Sequence, residues 1–541
     1  MGTWSLKLGD NDTFQDIYQK FWDLYNKGHP AITKKIQNDY AECFDDHDDK
    51  HESIFALALA QWETKSLDKT ILKKVKKIIE TGADIKLLRG DGVDEKELEK
   101  RKKELDKFLA KISIEKKEPA PRKKIKMNAK DYYERGNAYD RMGNDDQAIT
   151  DYSKAIKLNP DYAAAYFNRG HTYSGKNDHD KAITDFTEAS RLDPKDADIY
   201  VNRGSAYYYK GNYNKALADY TKAIKLNPND ATVYENRGNT YNDKGDYDKA
   251  VTDCTEAIRL NQDSEKAYLI RGIAHYDKED YDKAIADYTK AIGLDPDNAG
   301  IYNNRGLAYD RNSDYDKAVA DYNAAVKLDS GFAYAYFNRG NTYGHKGNYD
   351  RAIADYTKAI RLDPDNADAY NNRGNVYESK GDYDKAIADY TEAIKLNPEY
   401  ANAYNNRGCA RDNKGECDKA IADYTEAIKL NPDFAMAYNN RACARDNKGE
   451  YDKAIADCNK AIKLNPDFAI AYDSRGDIYD HKGEYDKAIA DYTEAIRLNP
   501  DFAEVYNNRG NAYSHKGDHD KAKADFEFYK KLKKHQAKRE I

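Results

Sequence analysis

The sequence predicts an all-α protein, a right-handed α-solenoid or superhelix of helix-turn-helix repeats preceded by a small helical domain. Three observations predict it. The pair Arg-Gly returns every 34 residues, from Arg135-Gly136 and Arg169-Gly170 to Arg509-Gly510, in twelve copies with one change, Ala442 after Arg441. No residue is gained or lost along that run. Each period, such as Ala163 to Asp196, holds two stretches of helical spacing around a polar break. A period of this length, so strictly held, marks stacked units that each cover a neighbour's apolar face.

Residues 1–112 lie outside the period and read as the helical domain. Helices are expected over Thr13–Lys27, Pro30–Phe44, Glu52–Thr64, Leu67–Thr81 and Asp94–Ile112, the last opened by Asp94 and Glu97 as a capping box. All three tryptophans (Trp4, Trp22 and Trp62) fall here, which argues for a separate small core. In FDDHDDKHES, His47 and His51 stand four apart among Asp45, Asp46, Asp48, Asp49 and Glu52. That spacing on a helix suits Zn or Mn. A solvated acidic loop capping the next helix explains the same residues, and no metal is assigned. Residues 113–128 read as a basic, Pro-containing linker, residues 129–536 as twelve units and residues 537–541 as a basic tail.

Counting each unit from its first residue, starting at Ala129, position 4 is Tyr in all twelve, from Tyr132 to Tyr506. Position 8 is Gly in eleven, position 20 Ala in all, position 27 Ala in eleven and position 32 Pro in nine. Position 24 is aromatic except at Cys254 and Cys458. Small residues at 8 and 20 let two antiparallel helices cross closely. The aromatics at 4, 11 and 24 are expected to fill the gap to the next unit, and Pro stops the second helix. This pattern resembles the tetratricopeptide repeat, a helix pair with a large residue at 4, Gly at 8, Ala at 20 and 27 and Pro at 32. One departure is systematic, since position 7, usually Leu in that family, is Arg in every unit. Position 23 is Asp in every unit, from Asp151 to Asp525. Twelve Arg and twelve Asp at fixed offsets predict a repeated ion pair, within a unit or between neighbours. The opening MGTW with Asn11-Asp12-Thr13 is similar to a small bacterial domain of unknown function (DUF4259), a likeness that implies no activity.

Composition narrows the function. Net charge is −7, so the chain as a whole does not attract nucleic acid or anionic membrane. No apolar run is long enough to span a bilayer, and the N-terminus lacks a secretory pattern. Six Cys give no disulfide framework. Cys409 and Cys443, at position 9 of adjacent units, have no His beside them and are not read as a metal site. No Gly-rich phosphate loop, nucleophile elbow or Cys-His constellation occurs. A cytoplasmic bacterial protein without catalytic residues, cofactor or metal is expected.

The face of the first helix should carry the binding chemistry. Position 6 is Asn in nine units, at Asn168, Asn202, Asn236, Asn304, Asn338, Asn372, Asn406, Asn440 and Asn508. A carboxamide donates and accepts at once, so it can grip both N–H and C=O of an extended peptide without reading its side chains. One amide per repeat resembles the asparagine ladders of tetratricopeptide superhelices that hold unstructured segments. Equally, Asn tolerates solvent on a helix surface and is copied with the repeat. The ladder breaks at Leu269, Ile270 and Ile273 in unit five and at Leu307 in unit six, an apolar patch of the kind that marks binding sites. Unit five also lacks the Pro before it (Gln262) and carries Gly293, so it reads equally as a degenerate repeat. Units eight to twelve line the groove with Asp368, Glu378, Asp412, Asp446, Asp473, Asp477 and Glu504. The family's clamp for acidic chaperone tails needs Lys at 5 and Arg at 6, which no unit has. The reading is a scaffold or adaptor that binds extended protein segments, with neither nucleic acid nor membrane as partner. The alternative is a catalytic or immunity module in the N-terminal domain that the repeats deliver.

Overall fold

The computed structural model describes residues 12–39, 50–63, 66–81, 83–84, 95–113 and 126–539. Trp4, Asp45, Asp46, His47, Asp48, Asp49, Asp94, most of the linker and the side chains of Glu52, Trp62 and Glu97 lie outside that description. Among the described residues all regular structure is helical. The chain divides into two compact units, Met1–Asn261 and Gln262–Ile541.

Ahead of the repeats, the helices among the described residues include α1 (Asp12–Asn26), α2 (Ile32–Asp39), α3 (Lys50–Glu63), α4 (Lys69–Thr81) and α5 (Glu95–Ser113). Each falls within the stretch its sequence predicts, give or take two residues at an end, and residues 40–44 of the second stretch lie outside the described residues. Helix α3 is the centre of this domain. Ile54 through Ala60 are all buried, so it is apolar all round as an enclosed helix must be. Ile17, Phe21 and Leu24 of α1, Ile71 and Val75 of α4, and Leu105 and Phe108 of α5 complete one core with it.

From Ala129 the chain runs as twelve helix pairs. Unit two shows the plan, with helix A over Ala163–Gly175 (positions 1–13) and helix B over His179–Leu192 (positions 17–30). At position 8 the pair closes most tightly. A Cβ on Gly374 would stand 2.7 Å from Tyr390 Cε1, and the same overlap recurs at Gly136, Gly204, Gly272, Gly306, Gly408 and Gly476. The ring at position 24 therefore lies under the glycine of its own unit, and it also packs against the next unit as the sequence suggested, Tyr356 with Val376 and Tyr390 with Ala410. Unit ten carries a different pairing, in which Ala442 packs with Cys458, whose thiol replaces the ring. Residues 3 and 10 of helix A, mostly Ala, Ile, Val or Thr, are buried beside it. Between A and B the chain turns through a left-handed residue, Gly381 at φ +77° for example. Asn177, Glu279 and Ser313 hold that conformation without glycine's freedom, at φ of 60–61°. Helix B ends at an extended Asn or Asp whose side chain accepts from the backbone N–H two residues on, as Asn397 does from Glu399.

The Arg at position 7 and Asp at position 23 pair inside their own unit in all twelve repeats. Nε and Nη2 meet the two carboxylate oxygens at 2.6–3.0 Å, from Arg135–Asp151 through Arg373–Asp389 to Arg509–Asp525. Planar guanidinium matches carboxylate in this fork geometry. Each guanidinium also lies over the position-4 ring one turn earlier, 5.6 Å from the Tyr370 centroid for Arg373. Its remaining nitrogen, Nη1, reaches back to position 25 of the preceding unit. Arg373 donates there to Thr357 at 2.9 Å, Arg407 to Thr391 at 3.1 Å and Arg339 to Asn323 at 2.6 Å. One side chain thus ties helix A to helix B and one repeat to the next.

Unit one has no repeat before it, and the helical domain takes that place. Arg135 Nη1 donates to the carbonyl of Lys27, while Lys27 Nζ lies 2.6 Å from Asp131 and Lys35 Nζ 3.5 Å from Glu134. At the other end, position 25 is Glu527 and position 27 is Tyr529, and helix B continues to Arg539.

Candidate functional site

Helix A presents positions 5, 6 and 9 along one strip of each compact unit, and the side chains there form a mesh instead of a row of free amides. Within residues 262–541, Asn338 Nδ2 donates to Asn303 Oδ1 at 3.0 Å and Asn372 Nδ2 to Asn341 Oδ1 at 3.0 Å. Asn406 Nδ2 donates to both Asn371 and Asn375 Oδ1, at 3.2 and 3.1 Å, and Asn440 Nδ2 to Asn405 Oδ1 at 3.0 Å. Asn508 Nδ2 uses Asp473 Oδ1 at 3.2 Å. Within residues 1–261, Asn168 does the same to Asn137 at 2.8 Å, whereas Asn202 turns back to its own helix at Asp198 C=O. The donor in this mesh is position 6 and the acceptor is position 5 or 9 of the unit before.

The acceptor is fixed from below as well. The position-24 phenol, passing under Gly at position 8, donates to position 9: Tyr152 to Asn137 at 2.8 Å, Tyr356 to Asn341 at 2.7 Å, Tyr390 to Asn375 at 2.8 Å. The position-9 carbonyl thus receives two hydrogen bonds, one from the core of its own unit and one from the next repeat. Sequence reading placed 5, 6 and 9 together on an open face. The structure corrects this for position 5, where Asn303, Asn371, Asn405 and Asn439 are buried at 3–6% exposure. Position-6 amides are half-buried. Asn338, Asn372 and Asn508 each keep one N–H and spare carbonyl capacity for another partner, with the rotamer already held.

In units five and six the mesh gives way to aliphatic side chains. Leu269, Ile273 and Leu307 are half-buried as a lining requires. Ile270, expected on the open wall, is only 3% exposed. An aliphatic group at position 6 has no amide to bond and withdraws from water. Tyr334 stands 61% exposed two units on.

Most of the acidic lining is already engaged. Tyr400 donates to Asp368 at 2.6 Å, Tyr390 to Glu378 at 2.8 Å and Tyr492 to Asp477 at 2.6 Å. His481 Nδ1 sits 2.9 Å from Asp446, and Lys533 pairs with Glu504. Burial, then the charge of Asp477, pushes the Asp473 carboxyl up to about 7. A carboxyl whose folded pKa exceeds its unfolded value stabilises below the unfolded value, and that contribution is lost as pH rises through the folded one. Asp473→Asn keeps the acceptor for Asn508 and removes the charge. The variant and the parent should therefore melt together near pH 4, and the variant should melt higher by about pH 8. Thermal melts at the two pH values check this, and equal shifts at both would contradict it.

Of the candidate metal residues in the helical domain, His51 is described, and it faces Asp84. Its Nδ1 lies 3.4 Å from Asp84, whose other oxygen takes Arg101 Nε at 3.0 Å. Burial alone would raise the Asp84 carboxyl, but His51 and Arg101 hold it below the ordinary range. Among the described residues no group of three His, Cys, Asp or Glu could hold a metal ion, and no helix is long and apolar enough to cross a membrane. Cys254, Cys409, Cys417, Cys443 and Cys458 are unbridged.

Comparison with known proteins supplies the relatives. A model described as TPR repeat matches residues 136–176, 204–242, 272–313, 311–347, 345–381 and 476–517. Models described as tetratricopeptide repeat match 163–196, 231–264, 367–400, 401–434, 435–468, 458–490 and 503–536. None of these reaches the first 128 residues, whose likeness to DUF4259 they leave without support. No curated protein matches the chain. Among solved structures, yeast Tom70 is 22% identical over 72% of this chain and 96% of its own, with a TM-score of 0.35. YrrB, a TPR protein with an unusual peptide-binding site, is 29% identical over 34% of this chain and 95% of its own, with a TM-score of 0.30. A tetratricopeptide repeat protein from Parabacteroides merdae is 20% identical over 47% of this chain and 99% of its own, with a TM-score of 0.39.

Proposed function

The chain belongs to the tetratricopeptide repeat family, whose repeats support a protein-interaction scaffold, and we propose that it binds extended protein segments along the helix A strip through its amide mesh. The observation that carries this reading is the held but unfilled amide. Asn338 and Asn372 each spend one N–H on a neighbouring amide and keep the other, and the position-6 carbonyls keep acceptor capacity. Fixing the rotamer beforehand removes part of the ordering entropy that a flexible side chain loses on binding. Packed helices stand about 8–10 Å apart and extended chain advances about 3.3 Å per residue, so one amide meets the ligand backbone about every third residue. Backbone recognition of this kind is tolerant of sequence.

The test replaces Asn338, Asn372 and Asn406 together by Ala. A linear peptide long enough to cross five units, about 14 residues, is first selected against the full chain from a displayed random library. Calorimetry should then show binding weakened by about 0.5–1.5 kcal/mol per lost amide. The mesh makes these changes felt in stability too, by a similar about 0.5–1.5 kcal/mol each, because each removes an inter-repeat hydrogen bond. Titrations are therefore run well below the variant's melting temperature. Unchanged affinity in a folded variant would reduce the amides to a structural lattice.

A further inference from the structure

Where the mesh breaks, a cavity of about 240 Å³ opens, lined by Ile273, Tyr276, Tyr288, Asn304 and Leu307. Two polar groups there have lost the partners their counterparts have elsewhere. Tyr152, Tyr356 and Tyr390 each find an amide at position 9 of their own unit. Tyr288 finds Ile273 instead. It is only 2% exposed, and among the described residues its hydroxyl has no hydrogen-bond partner. Leu307 likewise offers Tyr322 no acceptor at position 9. Asn304 is the second case. Six position-6 amides donate to position 5 or 9 of the unit before, which here are Leu269 and Ile273. Its Oδ1 takes a long bond from Asn303 at 3.5 Å, and its Nδ2 has no acceptor. The Tyr322 hydroxyl is buried and unpaired, while Tyr288 and Asn304 line the cavity, and polar groups left without a partner are rare without a reason.

We propose that this cavity is a subsite for one tyrosine side chain of the bound segment, a proposal that rests on the groove reading above. Small-molecule sites run from about 300 to 1,000 Å³, so this one suits a single large side chain better than a cofactor. Ile273, Leu307, Tyr276 and Tyr288 receive an apolar body. The Asn304 Nδ2 only donates, so the tip of the guest must accept, and Tyr288 can either donate or accept. A phenol does both. An indole N–H only donates, and a phenyl ring does neither. No Lys or Arg lines the cavity to neutralise a carboxylate. Burial, followed by the nearby Asp277 charge, pushes the Tyr288 phenol up and keeps its proton in place.

The probes are p-cresol, the tyrosine side chain alone, and toluene, the same body without the hydroxyl, titrated by ligand-detected NMR against the full chain. The parent should bind p-cresol about tenfold more tightly than toluene. Ile273→Asn rebuilds the position-9 amide of other units, so it should abolish p-cresol binding while leaving the melting temperature unchanged or higher. Tyr288→Phe keeps the ring and removes the orphan hydroxyl. It should fold at least as stably as the parent and bind the two probes alike. Absence of p-cresol binding, equal binding of both probes to the parent, or p-cresol binding that survives Ile273→Asn would overturn the subsite. Neither probe needs the amide mesh, so such a failure leaves the peptide reading standing, and failure of the Asn triple substitution leaves this result intact.

Discussion

Asp389→Ala should lower stability by about 3–5 kcal/mol, the loss expected when one partner of a buried ion pair is removed. Asp389 is 7% exposed, and its two oxygens hold Nε and Nη2 of Arg373. Without them the guanidinium, whose side chain is 15% exposed, stays fixed by Thr357 and the Tyr370 ring with no counter-charge. Urea denaturation of the full chain, followed by circular dichroism, measures the change. Replacing both residues, Arg373→Leu with Asp389→Leu, should recover most of the loss, because a buried pair is often matched by apolar residues of similar size. By contrast Lys380→Ala, which breaks the exposed inter-repeat pair with Asp350, should move stability by no more than about 0.2–1 kcal/mol. Equal effects from Asp389→Ala and Lys380→Ala would mean the Arg–Asp pairs are ordinary surface ion pairs.

Gly374→Ala should destabilise by about 1–3 kcal/mol through overpacking, even though Ala is the better helix former. The new Cβ would meet Tyr390 at 2.7 and 2.9 Å, and that ring is fully buried with its hydroxyl held by Asn375 and Glu378. Unit ten supplies the control, since Ala442 there sits beside Cys458. In a Tyr390→Cys background the same Gly374→Ala change should be neutral or stabilising, so the cycle should show favourable coupling of at least about 1 kcal/mol. Additive effects would mean that position 8 is small for some reason other than the ring beneath it.

The ion pair was legible in the sequence because position 7 and position 23 never vary, although spacing alone left open whether a unit pairs with itself. The third arm of each Arg was not legible. Position 25 carries a short hydroxyl or amide in eleven units, which reads as ordinary tolerance of solvent until Arg Nη1 is seen to end there. The exception, Glu527, falls in the last unit, where no repeat follows, and that was the available signal. The joint exception of Ala442 and Cys458 was equally present in the sequence, since both fall in one unit, but their contact needs the helix crossing to make sense. The amides illustrate a deeper limit. A helical wheel shows that positions 5, 6 and 9 share a face, yet whether they are free depends on the reach to the next helix. That distance buries Asn371 and Asn405 and ties Asn406 to its neighbours. The cavity beside Tyr288 follows from the same geometry, since Ile273 matters only because a phenol below it expected an amide.

The central claim is that the amide mesh holds the backbone of an extended segment, and N-methylation of that backbone tests it most directly. A peptide selected against the full chain is resynthesised with every third N–H methylated, either in the register facing position 6 or shifted by one residue, which removes donors and leaves every side chain in place. The account predicts that methylation in the register facing position 6 weakens binding about tenfold or more per two lost hydrogen bonds, while methylation in the shifted register changes little. Equal affinity for both methylated peptides and the parent peptide would show that the strip reads side chains alone, and the mesh would then be only the mortar between repeats.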